Sequence, residues 1–106
     1  MITLVELAVG TGQVAKDGDR VEMHYRGMFE DGKQFDASYD RGQTFTFKIG
    51  TGQVIQGFDM LATGMQVGGK RRGTIPPEFG YGAQGAGGVI PPNATLIFEV
   101  ELISIR

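Results

Sequence analysis

Cysteine is absent from this 106-residue chain. That excludes disulfides and thiolate metal sites, and makes a reducing compartment the simpler setting. Histidine occurs once, as His24, and the only serines are Ser38 and Ser104, so no nucleophile–histidine pair is signalled. There is no excess of basic charge either. A formal net charge of -2 argues against nucleic acid, whose phosphates need a basic partner. No apolar run reaches membrane-spanning length, so no membrane partner is expected. The opening MITLVELAVG lacks the basic start and long apolar core of a signal peptide, and a cytoplasmic location is the expectation. Proline is sparse, at four residues, and apolar residues are well spread, which is not a disordered composition.

What the chain has in plenty is glycine: 18 residues, against an average usage of about 7%. The length fits one domain, expected to span residues 1–106, with enough surface to bury a core unaided. Short strands joined by tight turns follow from that composition. Thr3, Val5, Leu7 and Val9 alternate as a first strand would. Val21, Met23 and Tyr25 share one face of a second, leaving Glu22, His24 and Arg26 opposite; His24 thus reads as a solvated strand residue. Asp31-Gly32 is a hairpin signal, Phe35 to Tyr39 follows it, and a polar loop runs to Gln43. Phe45, Phe47 and Ile49 alternate again. From Gln53 to Met65 the period changes, and Ile55, Phe58, Leu61, Ala62 and Met65 form a helical stripe. A helix that short needs a sheet to lie on. Lys70 to Ile75 and Thr95 to Ile105 read as the last strands. About five short antiparallel strands with one short helix make an α+β domain.

Several motifs suggest chemistry that their context denies. Gly80-x-Gly82-x-x-Gly85 matches the dinucleotide fingerprint, but diprolines flank it where a strand and a helix would be needed. Lys70-Arg71-Arg72 suits a charged outer or edge position better than a recognition patch. Asp17 and Asp19 suit a turn, and no calcium loop continues from them. GTGQV occurs at Gly10 to Val14 and again at Gly50 to Val54, and is read as a recurrent turn. Neither a metal site nor a cofactor site is expected. Asp36, from pattern alone, is better explained as a strand-end acid accepting a turn hydrogen bond. The stretch FGYGAQGAGGVIPPN, Phe79 to Asn93, is a different puzzle: a loop by its glycines that nevertheless carries Phe79, Tyr81, Val89 and Ile90.

Read in order, His24-Tyr25-x-Gly27, Phe35-Asp36-x-Ser38, Val54-Ile55-x-Gly57, Tyr81-Gly82-x-x-Gly85 and Ile90-Pro91-Pro92-x-Ala94-x-Leu96-x-Phe98-x-Val100-Glu101-Leu102 resemble the FKBP-type peptidyl-prolyl cis-trans isomerases, the tacrolimus- and rapamycin-binding family. Any one fragment is weak, whereas the ordered set is specific and covers Val5 to the C-terminus. The resemblance implies a five-stranded antiparallel sheet wrapped around a short helix. It implies a shallow apolar pocket lined by Tyr25, Phe35, Asp36, Phe45, Val54, Ile55, Phe58, Tyr81, Ile90 and Phe98. Phe58 would be the floor under a proline ring, the Ile55 amide would hydrogen-bond a substrate carbonyl, and Tyr81 would donate its hydroxyl to another. Asp36 becomes a polar rim feature oriented by Tyr25, reversing the reading from pattern alone. Val89 and Ile90 would meet the residue before proline, which gives the apolar loop its purpose as one wall of the site.

The implied activity is isomerisation of X-Pro bonds in peptides and unfolded chains, with no cofactor, by a monomer. Tacrolimus or rapamycin are the implied inhibitors. A binding module holding proline peptides or a partner protein without turnover is the alternative from another class. The chain lacks the insert that some bacterial members carry before the last strand. It also departs from the family at Phe58, where tryptophan is usual, and at Met60-Leu61, which is often an acid followed by glycine. Gly73 stands where leucine is common, and either Leu61 or Met60 is expected to fill the space. Gly87-Gly88 should leave its loop more mobile.

Overall fold

The computed structural model describes residues 2–106. Its first strand, β1 (Thr3–Ala8), lies at one edge of an antiparallel sheet. Next come β2 (Arg20–Phe29), β3 (Gln34–Ala37), a single helical turn α1 (Ser38–Arg41) and β4 (Phe45–Lys48). Helix α2 (Gln56–Ala62) precedes β5 (Lys70–Ile75) and β6 (Leu96–Ile105). The strand order is β1-β5-β6-β2-β3, and β4 also pairs with β2. Six strands therefore fill five positions: β4 pairs with Arg20 to Met23 and β3 with Arg26 to Met28 of the same long β2. The five-stranded expectation and the observed sheet differ only in that split.

Alternation explains the central strands. Leu96, Phe98, Val100 and Leu102 of β6 are buried, as are Val21 and Met23 of β2, while Glu99, Glu101 and Glu22 face outward. On that outer face Glu99 accepts from both Arg26 and Arg72, and Glu22 accepts from Thr44, Ser104 and Arg106. The Asp31-Gly32 hairpin forms as read: Gly32 takes φ 88°, and Phe29 and Lys33 close it through a backbone bond of 2.9 Å.

Helix α2 lies on the inner face, and two glycines fix its height. A Cβ on Gly57 would stand 2.5 Å from Ile75 Cγ2, and one on Gly73 would stand 2.8 Å from Leu61 Cδ1. Gly57 and Leu61 are one helical turn apart and share a face; Gly73 and Ile75 share the inner face of β5. Small therefore meets large twice, with the sizes exchanged between helix and strand. Of the two candidates for the space at Gly73, Leu61 is the one that fills it, and it is fully buried.

Four readings from sequence differ from the structure. The helix is shorter than Gln53–Met65, because Ile55 and Thr63 are extended and Gly64 takes φ 87°. Ile55 and Met65 still pack on the core from outside it. Strand β1 alternates but buries neither face: Val5 and Leu7 are both half-exposed at the sheet edge. Arg71 is not an outer charge. It shares the face of Gly73, ion-pairs with Glu6, and donates to the carbonyls of Leu61 (3.0 Å) and Thr63 (2.7 Å), which α2 itself leaves without donors. His24 is half-buried, stacked on Tyr39 at 4.5 Å, with Nδ1 2.9 Å from Ser38 Oγ. That contact is structural, since Ser38 is fully buried and accepts the Tyr25 N–H at 2.7 Å.

Candidate functional site

A cavity of about 200 Å³ opens between α2 and the sheet, lined by Tyr25, Phe35, Asp36, Phe45, Gln53, Val54, Ile55, Phe58, Tyr81 and Phe98. Each element delivers a side chain for a reason already given. β2 and β6 present Tyr25 and Phe98 from their inner faces, β4 presents Phe45, and the helical stripe presents Phe58. Phe58 is 4% exposed and meets its neighbours edge to face: Phe98 at 5.3 Å, Phe47 at 5.4 Å, Tyr25 at 5.8 Å and Phe45 at 6.3 Å. These are the preferred geometries of aromatic pairs, and they make the base rigid. Gly27 lets Phe35 and Phe98 come together, because a Cβ there would stand 2.7 Å from Phe35 Cζ.

One polar cluster stands at the rim. Tyr25 Oη donates to Asp36 Oδ2 at 2.5 Å, and Arg41 donates to both Asp36 Oδ1 (2.5 Å) and Tyr25 Oη (2.8 Å). The guanidinium also lies 5.7 Å from the centroid of the Tyr25 ring, within cation–π range. Burial pushes the Asp36 carboxyl up, but the hydrogen bonds from Tyr25 and Arg41 and the Arg41 charge outweigh it, so the group titrates below its ordinary value of 3.8. Burial and the Asp36 hydrogen bond together push Tyr25 above its usual 10.0. Asp36 is therefore an acceptor-only carboxylate at neutral pH, and Tyr25 keeps its proton. Neither is poised to exchange protons with a substrate. A depressed carboxyl pKa means that its interactions are present above the ordinary range and lost as pH falls through the lowered value. Any activity of the pocket should be flat from about pH 8 to about pH 5; a rate profile with an inflection in that range would contradict this.

The Ile55 carbonyl accepts from Phe58 N–H (3.0 Å) and Asp59 N–H (3.3 Å), which opens α2. Its own N–H has no protein acceptor among the described residues. Tyr81 is 40% exposed and stands on the loop after the turn Pro77–Phe79. Val89 and Ile90 do not line this cavity. They line an adjoining cleft of about 420 Å³ together with Phe35, Asp36, Tyr81, Ala86 and Gly87. Ile90 is 6% exposed and packs into the core, and Phe79 is partly buried against it, so Tyr81 and Val89 are the loop's exposed large apolar side chains. Two residues of the site escaped the sequence reading. Arg41 fell in a stretch read as polar loop, and its spacing of five from Asp36 carries no period that would pair them. Gln53 sat in a turn motif that looked like a connector. Among the described residues no cluster of His, Cys, Asp and Glu could hold a metal.

The family model for FKBP-type peptidyl-prolyl cis-trans isomerase matches residues 11–103. The chain is 53% identical over 104 residues to an FK506-binding protein of Neisseria meningitidis serogroup A, covering 98% of this chain and 95% of that one. It is 54% identical over 97 residues to FK506-binding protein 1 of Dictyostelium discoideum, covering 92% and 91%. Among solved structures, the crystal structure of AtFKBP13 superposes with a TM-score of 0.90 at 41% identity, covering 99% of this chain and 93% of that one. The crystal structure of FkpA from Escherichia coli gives 0.91 at 39%, but this chain spans only 48% of it. The fold, the aromatic pocket and the length of the match agree, and the chain belongs to the FKBP-type peptidyl-prolyl cis-trans isomerase family.

Proposed function

We propose that this isomerase acts on proline-containing peptides and unfolded chains by seating the proline ring on Phe58. The observation that carries the reading is the aromatic cavity itself, with Phe58 packed edge to face among Tyr25, Phe45 and Phe98. Rotation about a peptide bond is opposed by about 18–20 kcal/mol, because the planar form has partial double-bond character. A thousandfold acceleration needs only ~4 kcal/mol of that. The twisted transition state has lost resonance and some charge separation with it, so a dry apolar pocket disfavours the planar state more. Phe45, Phe98 and Tyr25 would exclude water around the ring. The free Ile55 N–H and the Tyr81 hydroxyl would hold carbonyls on the chain flanking the proline, while Asp36, fixed by Tyr25 and Arg41, shapes the rim. No covalent or acid–base step is needed. Val89, in the adjoining cleft, would touch the residue before proline and favour apolar side chains there. Tacrolimus or rapamycin would occupy the same cavity.

A chymotrypsin-coupled assay on an Ala-Leu-Pro-Phe-type peptide, with and without excess rapamycin, tests this. Acceleration abolished by rapamycin is the expected result. Rapamycin binding without acceleration would instead make the chain a binding module on the same fold, a result that the open space around Gly87 and Gly88 would help explain.

A further inference from the structure

The turn motif GTGQV at Gly50 to Val54 does more than join β4 to α2. Gly50 and Gly52 take φ 82° and 77°, a conformation that side chains resist, and the chain doubles back so that Gln53 reaches the end of β4. There the Lys48 N–H donates to Gln53 Oε1 at 2.9 Å. A backbone N–H can only donate, so the amide oxygen must be the atom that faces it. This fixes which end of the side chain remains. Nε2, with two N–H donors, has no partner among the described residues, and Gln53 lines the cavity next to Val54 and Ile55.

We infer that Gln53 is a substrate-positioning residue whose side-chain amide donates a hydrogen bond to a main-chain carbonyl of the chain flanking the proline. A main-chain acceptor suits the site: every peptide offers it, so the contact adds affinity without restricting sequence. The first GTGQV, at Gly10 to Val14, shows how position decides the role. Its Gln13 contributes the backbone carbonyl to Val67 N–H and is not among the residues that line this cavity. The inference rests on the reading of the cavity as the substrate site.

Gln53→Glu tests it, because the glutamate is isosteric and keeps an acceptor for Lys48 N–H but removes the donor. The substrate should be a blocked, uncharged peptide series varied on both sides of proline, so that the added charge has nothing to repel. Gln53→Glu is expected to lower kcat/KM about three- to tenfold on every peptide of the series, with an unchanged thermal midpoint. Gln53→Ala should show the same loss or slightly more. If Gln53→Glu matches the wild type while Gln53→Ala is impaired, the side chain only holds the turn and the inference falls. It falls equally if both variants match the wild type, or if the loss appears with one flanking side chain alone. An inactive wild type would overturn the reading of the cavity as well, whereas an active wild type with an unimpaired Gln53→Glu overturns this inference only.

Discussion

Leu61→Gly is expected to destabilise the protein by about 3–6 kcal/mol, from a core cavity together with the low helix propensity of glycine. Leu61 is fully buried and lies over Gly73. Gly73→Leu, made alone, should cost about 1–3 kcal/mol or more, because even its Cβ would stand 2.8 Å from Leu61 Cδ1. The informative result comes from combining them. The double variant Leu61→Gly/Gly73→Leu exchanges the large and small residues, the arrangement common in the family, and should recover most of the loss. A coupling of more than about 2 kcal/mol, over half of the summed single losses, is expected from urea denaturation followed by circular dichroism. Simple additivity of the two single changes would show that the helix and β5 do not interlock at this point. Gly57 and Ile75, which make the reciprocal contact, are left intact in all three variants, so the helix keeps its height over the sheet.

Phe58→Ala should produce the largest loss of activity, roughly ten- to a hundredfold in kcat/KM, equivalent to about 1.4–2.8 kcal/mol of barrier. Removing the ring opens the base of the cavity and admits water where the proline would sit. It also leaves the rings of Phe47 and Phe98 without the partner they meet at 5.4 and 5.3 Å. A stability cost of about 3–5 kcal/mol accompanies it, so the assay belongs at low temperature with the folded fraction measured alongside. Phe58→Leu is the milder control: it keeps the site apolar and should retain the fold while losing several-fold in rate. If both variants isomerise the peptide as fast as the wild type, the proline does not rest on Phe58 and the site has been placed wrongly.

The inward faces were legible in the sequence, for different reasons along the chain, whereas the lining of a pocket came only with the family resemblance. Phe45 and Tyr25 follow from strand alternation, and Phe58 from a helical stripe, since both periods say which side chains face inward. The ordered motifs then tied these to Ile55, Asp36 and Tyr81 through the family. What alternation could not show is burial at an edge: β1 has the pattern of a half-buried strand, yet nothing covers it. Nor could charge alone reveal that Arg71 turns inward to the end of α2 while its neighbours Lys70 and Arg72 stay exposed.

By itself the sequence determined the α+β class, the helix α2 over the sheet, the absence of thiol chemistry and the family, because each rests on local periods, composition or an ordered motif. Only the tertiary structure decided that Leu61, and not Met60, fills the space over Gly73; that Arg41 closes the Tyr25–Asp36 pair; that Ile90 belongs to the core and the adjoining cleft; and that Gln53 turns its amide end free. Each of these depends on atoms brought together from separate segments or folded back by a turn. Distance across a fold is not periodic in the chain, so no local pattern carries it.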